Sequence, residues 1–299
     1  MTTDAATFTR HRPLLFGLAY RMLGSAHDAE DVVQDAWLRW AGHHGTVDNP
    51  AAWLTTAVTR LCLNLLDSAR KRRETYVGPW LPEPILTTDP ATGPAAAVEE
   101  RESVSLALLT TLERLTPAER AVYVLREAFG HSHAEVAAVL EVSETASRQL
   151  HTRARRHLAT VPTVQTAVDV GPLLARFVAA ARDGEIAALE ELLADGVTVV
   201  SDGGGKVSAA RRPVVGRDAV ARFLIGVLAP SRFRGTGIAA EVNGAPALLA
   251  FVDGTLVGVV CVETLDGRVT AVRIHRNPDK LAFLAGQVSR SPELSGRGS

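Results

Sequence analysis

The chain has 299 residues, enough for about two domains. Its 46% hydrophobic and 22% charged residues exclude a disordered or fibrous chain. The net charge of −1 at pH 7 excludes a global basic field, so positive charge aimed at nucleic acid must be local.

The first helical block spans residues 8–77. Phe8, Leu14, Leu15, Leu18, Ala19 and Met22 recur at helical spacing. Gly24 ends that helix, and Ser25 with Asp28 starts a second, whose stripe is Val32, Val33, Ala36, Trp37 and Trp40. Asn49-Pro50 is a cap followed by proline at the first helical position. Trp53, Leu54, Ala57, Val58, Leu61 and Leu65 then lead into the basic cluster Arg70-Lys71-Arg72-Arg73. Residues 78–98 are rich in Pro, Gly and Thr and are expected to form an irregular linker. Within it, the tryptophan of Trp80-Leu81-Pro82-Glu83-Pro84 is expected to act as an anchor.

The second helical block spans 99–160. Thr116-Pro117-Ala118-Glu119 is a capping box, and Ser132 with Glu135 is another. The apolar run Val136, Ala137, Val139, Leu140 follows, then the short turn Glu141-Val142-Ser143, with Ser143 as the next cap. On the following helix Ala146, Leu150, Ala154 and Leu158 are expected to face inward. Thr145, Arg148, Gln149, Thr152, Arg153 and Arg156 are expected to face outward. Two short helices of this kind form a helix-turn-helix, whose second helix enters the DNA major groove. Arg and Gln offer bidentate hydrogen bonds to base edges, and the remaining basic groups meet phosphate.

Residues 161–169 form a second connector, after which the character changes. Helices are expected at 171–182, 185–194 and 216–228. Strands are expected at 197–201, 237–242, 247–252, 256–264 and 269–275. Asp253-Gly254 and Asp266-Gly267 are hairpin signals. Helices followed by a strand meander argue for an α+β domain over 170–285, with a polar, disordered tail over 286–299. The two cysteines, Cys62 and Cys261, lie far apart in apolar runs and read as buried thiols of a reducing compartment. No signal-peptide pattern and no membrane-length apolar run is present, so a cytoplasmic location is expected.

The two helical blocks resemble the extracytoplasmic-function (ECF) sigma factors, bacterial subunits that bring RNA polymerase to a promoter, over about residues 8–159. The run from Asp28 to Trp37 is similar to the helix that docks on the polymerase clamp. It implies core polymerase contacts at Asp28, Asp31, Gln34, Asp35 and Trp37. Trp53 through Arg73 is similar to the helix that reads the minus-ten element, which implies DNA contacts at Arg60, Asn64, Arg70, Lys71, Arg72 and Arg73. The helix carrying Thr145, Arg148, Gln149, Thr152, Arg153 and Arg156 is similar to the minus-thirty-five reader. Asn64 and Asp67 stand where the family is expected to carry an acidic and a basic residue, a departure that bears on the minus-ten preference.

Three further runs resemble the signatures of sigma factors with a fused SnoaL-like C-terminal domain. They are Trp80-Leu81-Pro82-Glu83-Pro84, Asp202-Gly203-Gly204-Gly205-Lys206 and Asn277-Pro278-Asp279-Lys280-Leu281. The resemblance implies two all-α sigma domains followed by an α+β cone that regulates them in cis, with these three runs as the interdomain regulatory residues. Asp202 to Lys206 is expected as a flexible hairpin loop touching another domain or the polymerase. Asn277 to Leu281 is expected to lock the C-terminus onto the sigma domains. The expected function is promoter-directed transcription initiation, with core RNA polymerase and promoter DNA as partners and no membrane. The alternative reading makes the cone an enzyme, with Asp202 and His275 as its polar groups, or a sensor of an unidentified small-molecule ligand. Asp202 by itself reads as a turn residue and His275 as structural or interfacial. No catalytic residue, metal or cofactor is assigned; His43, His44, His131 and His133 lack companion ligands. The free chain is expected to be a monomer.

Overall fold

The structure is a computed structural model that describes residues 5–87, 104–159, 171–229, 234–291 and 294, and only the backbone of 67–74. These residues form two compact units. One holds the described residues up to Thr75 and those of 104–159; the other holds Tyr76–Thr87 together with those from Gly171 onward.

The first unit is all helical. Helices α1 (Ala5–Leu23), α2 (Ala26–Ala41) and α3 (Pro50–Glu74) pack on one another. Gly24 separates α1 from α2 at φ 66°, a conformation that glycine adopts without steric cost. The Ser25 hydroxyl then accepts from the Asp28 amide at 3.1 Å and caps α2. Leu15, Leu18, Ala19, Met22, Val32, Val33, Ala36, Leu54 and Val58 are buried, as their spacing predicts. Leu14 is the exception at 45% exposed; Phe16 and Tyr20, both fully buried, fill the core instead.

Helices α4 (Leu106–Leu112) and α5 (Pro117–Tyr123) are followed by a π-helical turn (Val124–Ala128), α6 (His133–Leu140) and α7 (Glu144–Leu158). Both expected capping boxes form, at Thr116/Glu119 and Ser132/Glu135. Glu141 makes the tight turn at φ 56°. The inward stripe of α7 differs by one position from expectation. Ser147 and Ala154 are the buried residues, while Ala146 is half-buried. The Ser147 hydroxyl meets His133 Nδ1 at 3.0 Å, so a polar contact between the two helices sets their register.

In the second unit, α8 (Gly171–Asp183), α9 (Ile186–Leu192) and α10 (Arg217–Leu228) pack on one side of a six-stranded sheet. The strands are β1 (Leu193–Asp202), β2 (Val214–Val215), β3 (Thr236–Val242), β4 (Ala245–Val252), β5 (Thr255–Leu265) and β6 (Arg268–His275), in the order β2-β1-β6-β5-β4-β3. β1 and β6 run parallel and every other pair is antiparallel.

Three features depart from the sequence expectation. β1 begins at Leu193, taking two residues assigned to the preceding helix. Asn243-Gly244, at φ 52° and 72°, is a third two-residue hairpin turn, joining β3 to β4. Helix α11 (Pro278–Arg290) runs past residue 285, because Gln287 and Val288 are buried and hold its last turn.

The sheet register sets up two rows of side chains. Ser201, Ile274, Val260 and Leu248 are paired neighbours across four strands, and so are Asp202, His275, Val259 and Leu249. Successive residues of a strand point to opposite faces, so the first row faces α10 and the second faces away. Every member of the second row is at most 1% exposed. Both faces of the sheet are therefore covered.

Candidate functional site

The expected polymerase-binding residues lie on α2. Asp31, Gln34 and Asp35 are exposed and Asp28 is half-buried. Leu38, 61% exposed, completes an i, i+3, i+4, i+7 stripe with Asp31, Gln34 and Asp35. That apolar member was not expected, although its spacing from Asp31 was readable. Trp37 does not join this face. It is half-buried, and its ring packs 5.1 Å from that of Phe8.

Of the expected minus-ten residues, Arg60 and Asn64 are exposed on α3. The Arg60 guanidinium meets the Glu141 carboxylate at 2.8 Å and donates to the Val139 carbonyl at 3.3 Å. It is thus engaged by the turn between α6 and α7. Arg70, Lys71, Arg72 and Arg73 lie on the α3 backbone, and their side chains, like that of Asp67, fall outside the described residues.

All six expected residues of the second recognition helix, Thr145, Arg148, Gln149, Thr152, Arg153 and Arg156, are exposed on α7. Arg148 pairs with Glu144 one turn earlier, and Arg153 reaches back to Glu119 at 3.6 Å. Glu144 at the first turn and Arg155 and Arg156 at the last complement the helix dipole.

The three signature runs converge within the second unit. Asp202 is fully buried. Its Oδ1 accepts from the Tyr76 hydroxyl at 2.5 Å and the Gly204 amide at 3.1 Å. Its Oδ2 accepts from the Leu81 amide at 2.9 Å and from Lys280 Nζ at 2.7 Å. The Lys280 ammonium also donates to the Leu81 carbonyl at 2.5 Å and sits 3.0 Å from the Trp80 ring centre. A charge pair buried this deeply is tolerable only because every lone pair and proton finds a partner. Trp80 is thus an anchor held by a cation–π contact.

Asn277 caps α11 by accepting from the Asp279 amide, while its Nδ2 donates to the Tyr76 hydroxyl at 2.9 Å. Burial, and then the bond to Asp202, push the Tyr76 hydroxyl well above its ordinary pKa, so it stays a donor. Gly204, at φ 59°, passes so close to Asn277 and Tyr76 that a Cβ would collide with both. Lys206 and Asp279 close the cluster with an exposed ion pair at 2.5 Å.

Residues 76–87 are therefore strapped to the second unit along their whole length, where the sequence suggested an irregular linker anchored at Trp80. Beyond Leu81, the Ile85 amide donates to Asn243 Oδ1 and the Asn243 amide to the Ile85 carbonyl. The Leu86 amide donates to Gln287 Oε1, and Thr87 closes on Glu241 and Gly244. Asp202 makes the turn contact to Gly204 that its sequence suggests but is fully buried as well, and the run Asn277–Leu281 fastens the strap. Pro82 and Pro84 are buried along it.

His275, beside Asp202 in the register, is 1% exposed, and neither ring nitrogen has a hydrogen-bond partner among the described residues. Burial, reinforced by Lys280 and Arg273, lowers its pKa to about 3. On the opposite face a cavity of about 520 Å³ opens between α10 and the sheet. Ser201, Leu248, Val260, Ile274, Phe223 and Arg276 line it; Asp202 and His275 do not. The two polar groups of the enzyme reading are therefore outside the cone.

Residues 7–73 match the family Sigma-70 region 2, and residues 105–158 match Sigma-70 region 4. The ECF RNA polymerase sigma factor SigJ of Mycobacterium tuberculosis is 40% identical over 93% of this chain and 93% of its own length. Its crystal structure superposes with a TM-score of 0.74, covering 94% of this chain and 99% of that one. The probable ECF sigma factor SigI of the same organism is 34% identical over 95% of this chain and 97% of its own. These matches run through the α+β unit as well as the helical one, and the chain belongs to the ECF RNA polymerase sigma factors.

Proposed function

We propose that this sigma factor recruits core polymerase through Asp31, Gln34, Asp35 and Leu38 of α2, with Asp28 at the edge and Trp37 positioning the helix from behind. The same reading gives the minus-ten element to Arg60, Asn64 and the Arg70–Arg73 cluster. It gives the minus-thirty-five element to Thr145, Arg148, Gln149, Thr152, Arg153 and Arg156. The observation that carries it is the solvent-facing placement of all six α7 residues on a capped helix-turn-helix. Flipping bases out of a stack costs a few kcal/mol, so promoter opening draws on polymerase binding as well as on these helices. Transcription places the chain with the chromosome, in the cytoplasm; among the described residues no helix is long and apolar enough to cross a membrane.

The SnoaL-like unit modulates this activity in cis through the strap. Residues 76–87 leave α3 directly, and the buried Asp202–Lys280 pair fixes them. A non-catalytic role for the unit is favoured by its cavity lining, where Arg276 is the one ionisable group among the described residues. An abstracted proton has no carboxylate or imidazole there to receive it.

The test is transcription in vitro with core polymerase on a pool of random promoter DNA. Discrete starts that depend on added protein are expected. Arg148→Ala should relax selection at one upstream base position, a loss of about 1–3 kcal/mol of discrimination. Absence of protein-dependent starts would remove the sigma assignment, and a uniform loss across sequences would make Arg148 a phosphate contact.

A further inference from the structure

We propose that the cone cavity binds an apolar molecule ending in one anionic group, held by Arg276, and that the strap senses its occupancy. This rests on the reading that the second unit acts in cis. The cavity, at about 520 Å³, falls in the range of small-molecule sites, which are mostly apolar with a few placed polar groups. Its walls are Phe223, Leu228, Leu248, Val260, Ile274 and their apolar neighbours, with the hydroxyls of Ser201 and Ser208. Among the described residues Arg276 is the only charged side chain lining it, and no carboxylate among them pairs with it. One of its five N–H donors is used, Nη1 to the Ser208 carbonyl at 3.0 Å, so a fork remains for a carboxylate or sulfonate. The lining suits a medium-chain aliphatic acid or a fused-ring aromatic acid.

The coupling lies in the chain order. Ser201 lines the cavity and the next residue, Asp202, holds the strap. Arg276 lines the cavity and the next residue, Asn277, holds Tyr76. The backbone closes the circuit, because the amides of Arg276 and Asn277 both donate to the Asp202 carbonyl, at 2.7 and 3.0 Å. The segment 208–210 lines both the cavity and a second crevice of about 220 Å³, whose other wall is Val77, Gly78 and Pro79. An anion that draws the Arg276 guanidinium inward pulls on Ser208 and on the backbone that positions the clamp. A ligand acts only through a difference in affinity between clamp arrangements, and Arg276 supplies it.

The experiment uses the full chain and two matched probe pairs, decanoate with 1-decanol and 2-naphthoate with 2-naphthalenemethanol. Titration calorimetry reads binding, and hydrogen exchange at the Leu81 amide reads the clamp. At least one acid should bind once per chain, about tenfold tighter than its alcohol, and should change Leu81 exchange by a similar factor. Arg276→Gln should erase the preference for the acid. Gly226→Phe should abolish binding while preserving the fold, since a Cβ at Gly226 meets nothing within 4 Å. Binding that survives Gly226→Phe, equal affinity for acid and alcohol, or no binding by either acid overturns the proposal. An acid that binds without altering Leu81 exchange overturns the coupling. None of these readouts involves polymerase, so they fail or succeed separately from the transcription assay.

Discussion

At the scale of single residues, His275 carries a cost that pH exposes. Its imidazole is buried beside Lys280 and Arg273 and titrates near 3 when folded, against about 6.5 in an unfolded chain. The folded pKa is the lower one, so the unfolded state binds the proton first as pH falls. Stability is complete above pH about 6.5 and declines from there toward pH 3. Between pH 7.5 and 5 the second unit should lose about 2 kcal/mol through this group. Urea unfolding of wild type and His275→Phe at the two pH values measures it. The variant should lose less than the wild type by that amount, and equal losses would mean the imidazole is already charged in the native state. The sequence showed a histidine at a strand end. Arg273, two residues earlier on the same face, was legible from strand alternation, but Lys280 was not, because it comes from the following helix.

At the scale of elements, the strap 76–87 is the least orthodox part of the fold. It has almost no regular secondary structure, yet Leu81, Ile85 and Leu86 are at most 2% exposed. Its order comes from partners more than a hundred residues away, Asp202, Asn243 and Gln287. Asp202→Asn leaves Lys280 buried without its counter-charge, a loss of about 3–5 kcal/mol. The expected result is a lower urea midpoint for the second unit and early proteolysis after Tyr76. Unchanged protection of the strap would mean its apolar side chains hold it alone. Local patterns were legible where local physics decides. Both capping boxes and the hairpins at Asp253-Gly254 and Asp266-Gly267 were readable. Asn243-Gly244, joining strands of seven and eight residues, is an equally local hairpin signal. Asp202 followed by glycines reads as a turn because its partners Tyr76, Leu81 and Lys280 all come from distant segments. On α7 the one-position shift from Ala146 to Ser147 arose because the hydrogen bond to His133 outweighs hydrophobicity there.

At the scale of the whole molecule, a chain of net charge −1 carries local basic clusters on the two helices assigned to DNA. Arg60 on one of them is held by Glu141 and Val139 of the helix-turn-helix. Arg60 and Glu141 are 46% and 74% exposed, and such pairs contribute about 0–1 kcal/mol. Polymerase binding can therefore release Arg60 at small cost. The strap is held far more firmly within the second unit, by the buried Asp202–Lys280 pair, and under the proposed cis role it is the part through which that unit acts. Truncation before Gly171 is a poor test of this, because it strips the partners from Leu81, Ile85 and Leu86 and leaves an apolar segment bare. The direct measurement is promoter-dependent transcription by the full chain carrying Asp202→Asn, which leaves Lys280 buried without its counter-charge, relative to wild type at equal polymerase occupancy. With hydrogen exchange showing the strap open, transcript yield should change by about threefold or more, close to the lower end of allosteric coupling. An unchanged yield with the strap demonstrably open would contradict the proposed cis role.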